Sequence, residues 1–228
     1  MKNIIYPLLF LFILTSCEDP KYTFDNTFIN DIGQTLNNSD SLPVSGVLYF
    51  FDEIDSLNIE STLKDGYQVY FKSFYQNDEL ATRTKTKNYI PIGLVESFYQ
   101  NGQEKYSVNY NLNGQKDGLS TRYFENGNID FVETYKDGKL NGIEKRYNDN
   151  GYLQYIATNL DGKLNGLYKE YFENGNIKEE GSYSVFENRD GIWKDYFING
   201  KLKNRLLYKN GKLVMCVDID GYEIECVE

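Results

Sequence analysis

The residues that most often carry out chemistry are unevenly represented in this chain. It has 34 acidic residues and 3 cysteines among 228 residues, but no histidine. Because histidine is the commonest general base and metal ligand, its absence removes every Ser-His or Cys-His nucleophile arrangement. A glycosidase-like carboxylate pair needs no histidine, but no two of the scattered carboxylates stand out as partners. We therefore expect neither enzyme activity nor a metal or other cofactor.

The net charge of −10 restricts the partners of the chain. Such a surface is repelled by nucleic acid and by anionic lipid headgroups, so neither is an expected partner. A protein partner, in particular a basic one, is compatible with this charge.

Cys17 closes an N-terminal export signal. Lys2 precedes an apolar run at residues 4–14, followed by Thr15, Ser16 and Cys17. This order is typical of a secretory signal peptide, and the run is too short to be a stable membrane span. Leu-Thr-Ser-Cys resembles the lipobox of bacterial lipoproteins; the alternative is an ordinary cleaved signal with a chance cysteine.

The lipobox resemblance implies a location for the chain. Residues 1–16 would be removed as the signal peptide, and Cys17 would be lipidated and become the first residue of the mature protein. The lipid would be the only membrane contact, with the protein on the periplasmic or the surface-exposed side of the outer membrane. Residues 17–45 are polar and turn-rich, so we expect the lipidated cysteine and a flexible tether there.

A repeat of about 24 residues dominates the middle of the chain. Five Asn-Gly pairs recur at spacings of 25, 24, 24 and 25 residues, and a glycine followed by Leu or Ile lies eight residues before each asparagine. An aromatic residue follows that Leu or Ile after four positions. Asn-Gly and Asp-Gly favour type I′ hairpin turns, in which both residues have positive φ. The predicted turn glycines are Gly102, Gly127, Gly151, Gly175 and Gly200.

This pattern predicts an all-β fold. No unit has the apolar stripe of a helix, so consecutive hairpins should form an elongated, single-layer antiparallel β-meander. Residues 93–214 would hold five hairpin repeats. Residues 46–92 would be diverged repeats that form an N-terminal cap, and residues 215–228 a C-terminal capping hairpin.

The repeat resembles the MORN repeat in its bacterial variant. The shared pattern is Gly-Leu/Ile-x-x-x-Tyr-x-x-Asn-Gly-x-Leu/Ile, closed by Tyr-Lys-Asp-Gly-Lys-Leu-Asn at residues 135–141. The resemblance covers residues 93–214 clearly and 46–92 weakly. It implies a scaffold or an interaction surface and, in one group, antitoxins of the YwqK type.

Candidate contact residues follow from the two faces of such a sheet. With a two-residue turn, Phe197 would lie opposite Leu202 and Tyr196 opposite Lys203, and adjacent residues would point to opposite faces. The tyrosine ladder could serve only to hold the array together, or it could meet a ligand through its rings and hydroxyls. Residues that do not repeat strictly are better candidates for specificity. The predicted binding surface comprises Tyr123, Tyr147, Tyr171, Tyr196, Trp193, Tyr168, Arg122 and Arg146.

The last two cysteines are spaced for a cross-strand bond. A three-residue loop at positions 220–222 would place Cys216 opposite Cys226, and an oxidising envelope would favour a disulfide there. The alternative is two free thiols packed in a strand.

Three functions fit these expectations. The first is a lipid-anchored, non-catalytic module that docks a protein. The second is an immunity protein of the YwqK type that neutralises a toxin. The third and weaker one is a carbohydrate-binding surface lipoprotein.

Overall fold

The computed structural model describes residues 27–30, 33–218 and 220–224. These residues form β-strands joined by turns and short loops, with no helix among them. The described part of the chain accordingly has no helix of the length and apolar character that a membrane crossing requires. The lipidation site Cys17 lies outside the described residues, as does Cys226.

The two short strands near the start of the described chain fall within the segment predicted to be a flexible tether. Strand β1 (Thr27–Ile29) pairs antiparallel with β2 (Thr35–Asn37). The Val44 N–H donates to the Thr35 carbonyl, the Thr35 N–H donates to the Gly66 carbonyl, and the Val44 side chain is buried. The tether prediction was therefore wrong for residues 35–45. The reason is that one valine and a few backbone hydrogen bonds dock this polar segment without any periodic signal.

The remaining strands form one open antiparallel sheet in which each strand pairs with the next along the chain. This confirms the predicted β-meander. The chain divides after Gly114 into two compact units. The sheet strands of the first are β3 (Gly46–Asp52), β4 (Leu57–Lys64), β5 (Tyr67–Phe74), β6 (Leu80–Lys87), β7 (Ile90–Phe98) and β8 (Glu104–Tyr110).

The first unit has a small apolar core at its N-terminal end. Val44, Leu48 and Leu63 are buried together, and Phe50 packs against them. The strands of the second unit are β9 (Lys116–Tyr123), β10 (Ile129–Lys136), β11 (Lys139–Tyr147), β12 (Leu153–Leu160), β13 (Lys163–Tyr171), β14 (Ile177–Tyr183), β15 (Arg189–Tyr196), β16 (Leu202–Lys209) and β17 (Lys212–Val217).

The hairpin turns belong to two classes, where the sequence predicted one. Asp137 and Gly138 both have positive φ, 48° and 83°, as a type I′ turn requires. At the five Asn-Gly turns that define the repeat, only the glycine has positive φ, and its N–H donates to the carbonyl three residues earlier, as from Gly200 to Phe197 at 2.8 Å. These are type I turns followed by a bulge glycine. The five predicted turn glycines have φ between 80° and 86°: Gly102, Gly127, Gly151, Gly175 and Gly200.

This difference in turn class changes the strand pairing only beside the turn, and from Asp195 opposite Asn204 onward the register is the predicted one. Tyr196 lies opposite Leu202 rather than opposite Lys203, and the register slips between Asp195 and Tyr196. Lys203 is left as the extra residue of a β-bulge. The predicted pairing of Phe197 with Leu202 was therefore wrong, because the longer turn takes Phe197 into the loop, where its N–H donates to the Lys201 carbonyl.

The C-terminal segment turns back on β17. Val217 forms an isolated bridge with Glu223, and the Ile224 N–H donates to the Cys216 carbonyl at 2.9 Å. The predicted loop placed Glu225 opposite Val217, so the observed register differs by two residues. Cys216 is buried and disulfide-bonded. Because Cys226 lies outside the described residues, its pairing with Cys216 stays a prediction.

Candidate functional site

One face of the second unit carries a row of exposed aliphatic side chains. Each repeat contributes the Leu or Ile that follows the glycine eight residues before its Asn-Gly turn, and the row ends on β16. We call this set the aliphatic row: Leu119, Ile143, Leu167, Ile192 and Leu207, which are 37–60% exposed. Exposed apolar side chains in a continuous patch mark contact surfaces more often than isolated ones do.

The residues between the members of the row are small hydroxyl residues: Thr134, Thr158 and Ser182. Thr134 lies opposite Leu119, and Thr158 lies opposite Ile143. The Thr134 hydroxyl donates to the Ile143 carbonyl at 3.2 Å, and the Thr158 hydroxyl donates to the Leu167 carbonyl at 3.0 Å. Because the backbone takes up both hydroxyls, these threonines interrupt the apolar strip little.

A shallow depression of about 240 Å³ lies within the row, between Leu167 and Ile192. An ion cluster lines it. Glu180 accepts from Lys169 at 2.8 Å and from Lys194 at 3.2 Å, and also from the Tyr196 hydroxyl at 2.8 Å. The hydrogen bond from Lys169 is the largest cause that lowers the pKa of Glu180 to about 2. Burial, followed by the bond to Glu180, raises the pKa of Tyr196 to about 12.

The predicted tyrosine ladder lies on the same face as the aliphatic row. Each member follows the adjacent Leu or Ile by four residues, so both sets project from the same side of their strands. All four side chains are half-buried: Tyr123, Tyr147, Tyr171 and Tyr196.

Trp193 lies on the opposite face and has no exposed surface. It is 0% exposed, its indole N–H donates to the Ser182 carbonyl at 3.1 Å, and its ring covers Gly181. Tyr168 and Tyr183 pack against it with ring centroids 5.8 and 5.1 Å away. The structure therefore places Trp193 in the packing of this face and corrects the prediction that it is a surface contact. The missing side chain of Gly181 makes this burial possible.

Arg122 and Arg146 share one aromatic neighbour. Their guanidinium carbons lie 4.4 and 4.9 Å from the centroid of Phe131. Both also pair with the carboxylate of Asp130, which is 8% exposed. These contacts indicate that the two arginines hold the face together by sharing one carboxylate and one aromatic ring.

The Arg122–Asp130 ion pair recurs with reversed charges two repeats later. Glu170 and Lys178 occupy the equivalent positions, and Lys178 Nζ lies 2.8 Å from Glu170 Oε1. Glu170 therefore puts a carboxylate where Arg122 and Arg146 put a guanidinium. This change of residue type at a repeat position is visible in the sequence, but the prediction did not use it.

A cavity of about 360 Å³ opens between β12 and β13, near this carboxylate. We call it the tyrosine cavity. Among its lining residues are Tyr152, Tyr155, Tyr168, Tyr171, Glu170 and Glu173. Burial, followed by the charges of Glu170 and Glu179, raises the pKa of Tyr168 to about 12, so its hydroxyl is neutral at physiological pH. Two predicted contact residues, Tyr168 and Tyr171, thus line the same cavity as Glu170 and Glu173, two carboxylates that the prediction missed.

Three segments of the chain, residues 116–137, 164–184 and 189–210, match the family described as MORN repeat variant. The three segments are MORN-type hairpins. No curated protein matches the chain.

The matched hairpins carry both candidate surfaces. They correspond to the strand pairs β9–β10, β13–β14 and β15–β16, which supply four of the five members of the aliphatic row and, through β13, half of the tyrosine cavity. Both surfaces are suited to binding. Within the described part of the chain, no group of three or more Cys, Asp and Glu is placed to hold a metal ion.

Proposed function

We propose that this protein is a non-catalytic interaction module of the cell envelope, anchored by lipid on Cys17, and that its aliphatic row docks a partner protein. The observation that carries the proposal is the row itself. Five aliphatic side chains, each 37–60% exposed, follow one another across the MORN-type hairpins of one face. In a sheet with no second layer over this face among the described residues, burial of the row requires a partner.

The depression between Leu167 and Ile192 supports docking of an apolar anchor. Its volume of about 240 Å³ is enough for one aliphatic or aromatic side chain. Such an anchor would lie beside the Lys169–Glu180–Lys194 cluster, and polar groups at the edge of an apolar contact are usual in protein interfaces.

The envelope location is proposed from the export signal and the lipobox-like tetrad that ends at Cys17. A lipid anchor would confine the module to a membrane surface, and the net charge of −10 would keep the protein body away from anionic headgroups. The face that carries the row would then remain available to a protein.

The docking proposal is tested by capture with a surface variant. The full chain, tagged at its C-terminus, is cross-linked in the producing cells and its partners are identified by mass spectrometry. We expect Leu167→Ser with Ile192→Ser to lose the principal partner. The matched control is Val185→Ser with Phe186→Ser, which removes two side chains that are 56% and 78% exposed in the β14–β15 loop.

The two variants decide between the outcomes. Loss of the partner in the row variant alone supports docking at the row. Equal recovery with both variants would contradict it. If the captured partner is a basic toxin, the module is an immunity protein of the type the repeat resembles, whereas a resident envelope protein makes it a scaffold.

A further inference from the structure

Tyr155 in the tyrosine cavity has one arginine as a cross-strand neighbour, whereas its counterpart in the preceding repeat, Phe131, has two. Phe131 pairs across strands with Arg122 on one side and Arg146 on the other. Both guanidinium groups lie against its ring, with carbon-to-centroid distances of 4.4 and 4.9 Å. The repeat thus builds a site in which one ring takes a cation from each adjacent strand.

Tyr155 occupies the same place 24 residues after Phe131. It pairs with Arg146 on one side, but on the other side it pairs with Glu170. Glu170 stands where the pattern would put a second guanidinium, and the tyrosine cavity opens beside it. None of the described residues that line this cavity is a lysine or an arginine.

The charges in the cavity favour a cation. Glu170 Oε1 binds Lys178, whereas Glu170 Oε2 forms no hydrogen bond with any residue that the structure describes. Glu173 is exposed in the adjoining turn, and its carboxylate has no ion pair within the described part of the chain. Aromatic rings beside carboxylates attract guanidinium and ammonium groups, and the planar guanidinium gains most because it both stacks and donates in pairs. A sugar would also stack on the tyrosines and donate its hydroxyls to the carboxylates, but as a neutral ligand it would gain less from their charge than a guanidinium does.

We propose that the tyrosine cavity binds a guanidinium group, an arginine side chain of a partner protein, against the ring of Tyr155 and between the carboxylates of Glu170 and Glu173. The assignment of this group to a partner protein rests on the proposed function, whereas the binding of the guanidinium itself does not. Tyr168 stacks on Tyr155 with ring centroids 6.0 Å apart, so the bound arginine lies beside this pair of rings, on the side of Glu170.

The test is a titration of the full chain in detergent, labelled with ¹³C at its tyrosine rings and followed by NMR. The probe is N-acetyl-arginine methylamide, and the matched neutral probe is N-acetyl-citrulline methylamide. We expect saturable shifts of Tyr152, Tyr155 and Tyr168 with arginine, and binding of citrulline about tenfold weaker because it has lost the charge. High salt should weaken only the binding of arginine.

Two variants locate the site. Glu170→Gln and Glu173→Gln should each weaken arginine binding several-fold. Glu125→Gln, at the position equivalent to Glu173 two repeats earlier, should leave it unchanged. Glu173 is exposed in a turn, so its variant keeps the test valid if Glu170→Gln disturbs the sheet.

Three results would overturn the proposal. The first is equal binding of arginine and citrulline, and the second is shifts confined to tyrosines outside the cavity. The third is displacement of the same signals by a neutral oligosaccharide without any response to arginine, which would make the cavity a glycan site. Because the titration uses no partner protein, its failure is distinguishable from a failure of docking at the aliphatic row.

Discussion

At the residue scale, the burial of Trp193 is a property that the repeat pattern alone does not reveal. Its place in the repeat, two residues after Gly191, was visible in the sequence, as was Tyr168 at the equivalent place two residues after Gly166. Gly181, which gives the indole its space, is not a repeated glycine, because the equivalent positions hold Ala157 and Glu133. The sequence therefore marked Trp193 as unusual but could not show that it is buried.

We predict that Gly181→Ala destabilises the second unit. A Cβ at this position would overlap the indole ring of Trp193, and overpacking of this kind typically costs about 1–3 kcal/mol. The loss is measured by urea denaturation, and the fluorescence of the chain's single tryptophan should shift to longer wavelength as Trp193 becomes exposed.

A second substitution tests whether the new methyl group and the indole ring compete for the same space. Tyr168 lies opposite Ala157 in the structure, so a tyrosine and an alanine fit together at this position of the repeat. Trp193→Tyr should therefore cost less free energy of unfolding in the Gly181→Ala background than in the wild type. Strictly additive losses would show that the indole and the new methyl group do not compete for space.

A further prediction concerns pH. The pKa of Glu180 falls from an ordinary value of 4.5 to about 2, mainly because Lys169 donates to it. Its stabilisation is therefore complete above about pH 4.5 and is lost as pH falls towards 2. In Glu180→Gln, the free energy of unfolding should be lower at pH 7 and should fall less between pH 5 and pH 3 than in the wild type. Parallel curves for the two proteins would contradict this assignment.

At the element scale, the hairpins and the order of the strands were predictable, and the turn type with the pair beside the turn was not. The spacing of the Asn-Gly pairs identifies each hairpin, but the dipeptide is compatible with both type I′ turns and type I turns with a bulge glycine. The asparagine side chain favours the second form, because its oxygen accepts the N–H two residues on, as from Asn176 to Asn174 at 3.1 Å. The bulge that follows this turn changes only the pair beside the loop, Tyr196 with Leu202, and the predicted register resumes at Asp195 opposite Asn204.

The same asparagines also connect successive turns. Asn174 and Asn176 donate through their amide nitrogens to the Ile198 carbonyl, at 2.7 and 2.9 Å. Asn126 and Asn128 donate in the same way to the Asp149 carbonyl, at 2.7 and 2.8 Å. Since hairpins in a meander are stabilised by their neighbours, these bonds help to stack the repeats.

We predict that Asn174→Ala lowers the free energy of unfolding more than Asn199→Ala does. Both asparagines accept a hydrogen bond inside their own turn, but only Asn174 also donates to the next one. The difference should be about 1 kcal/mol, the usual net contribution of one hydrogen bond. Equilibrium denaturation of both variants measures it, and equal losses would show that the bond between turns contributes nothing.

At the scale of the whole molecule, the described residues form a meander with little conventional core. Each sheet strand pairs with its sequence neighbours, and the buried apolar cluster that the structure shows is small: Val44, Leu48 and Leu63. Stability then depends on cross-strand pairs, rows of stacked rings and ion pairs, all of which leave the faces of the sheet accessible. This fits a module that binds partners through its surfaces. The partners that it can reach then depend on where the molecule is located.

The location is tested at Cys17. If the lipobox-like tetrad is processed as the resemblance implies, the protein sediments with membranes, and detergent releases it, whereas high salt does not. Cys17→Ser should move the protein to the soluble fraction, because several acyl chains at about 0.8 kcal/mol per CH₂ would be lost. The same fractionation with Cys216→Ser, which leaves Cys17 in place, should keep the protein at the membrane. Mass spectrometry of the mature N-terminus supplies the second readout, and an unmodified Cys17 in the membrane-bound protein would contradict anchoring by lipid.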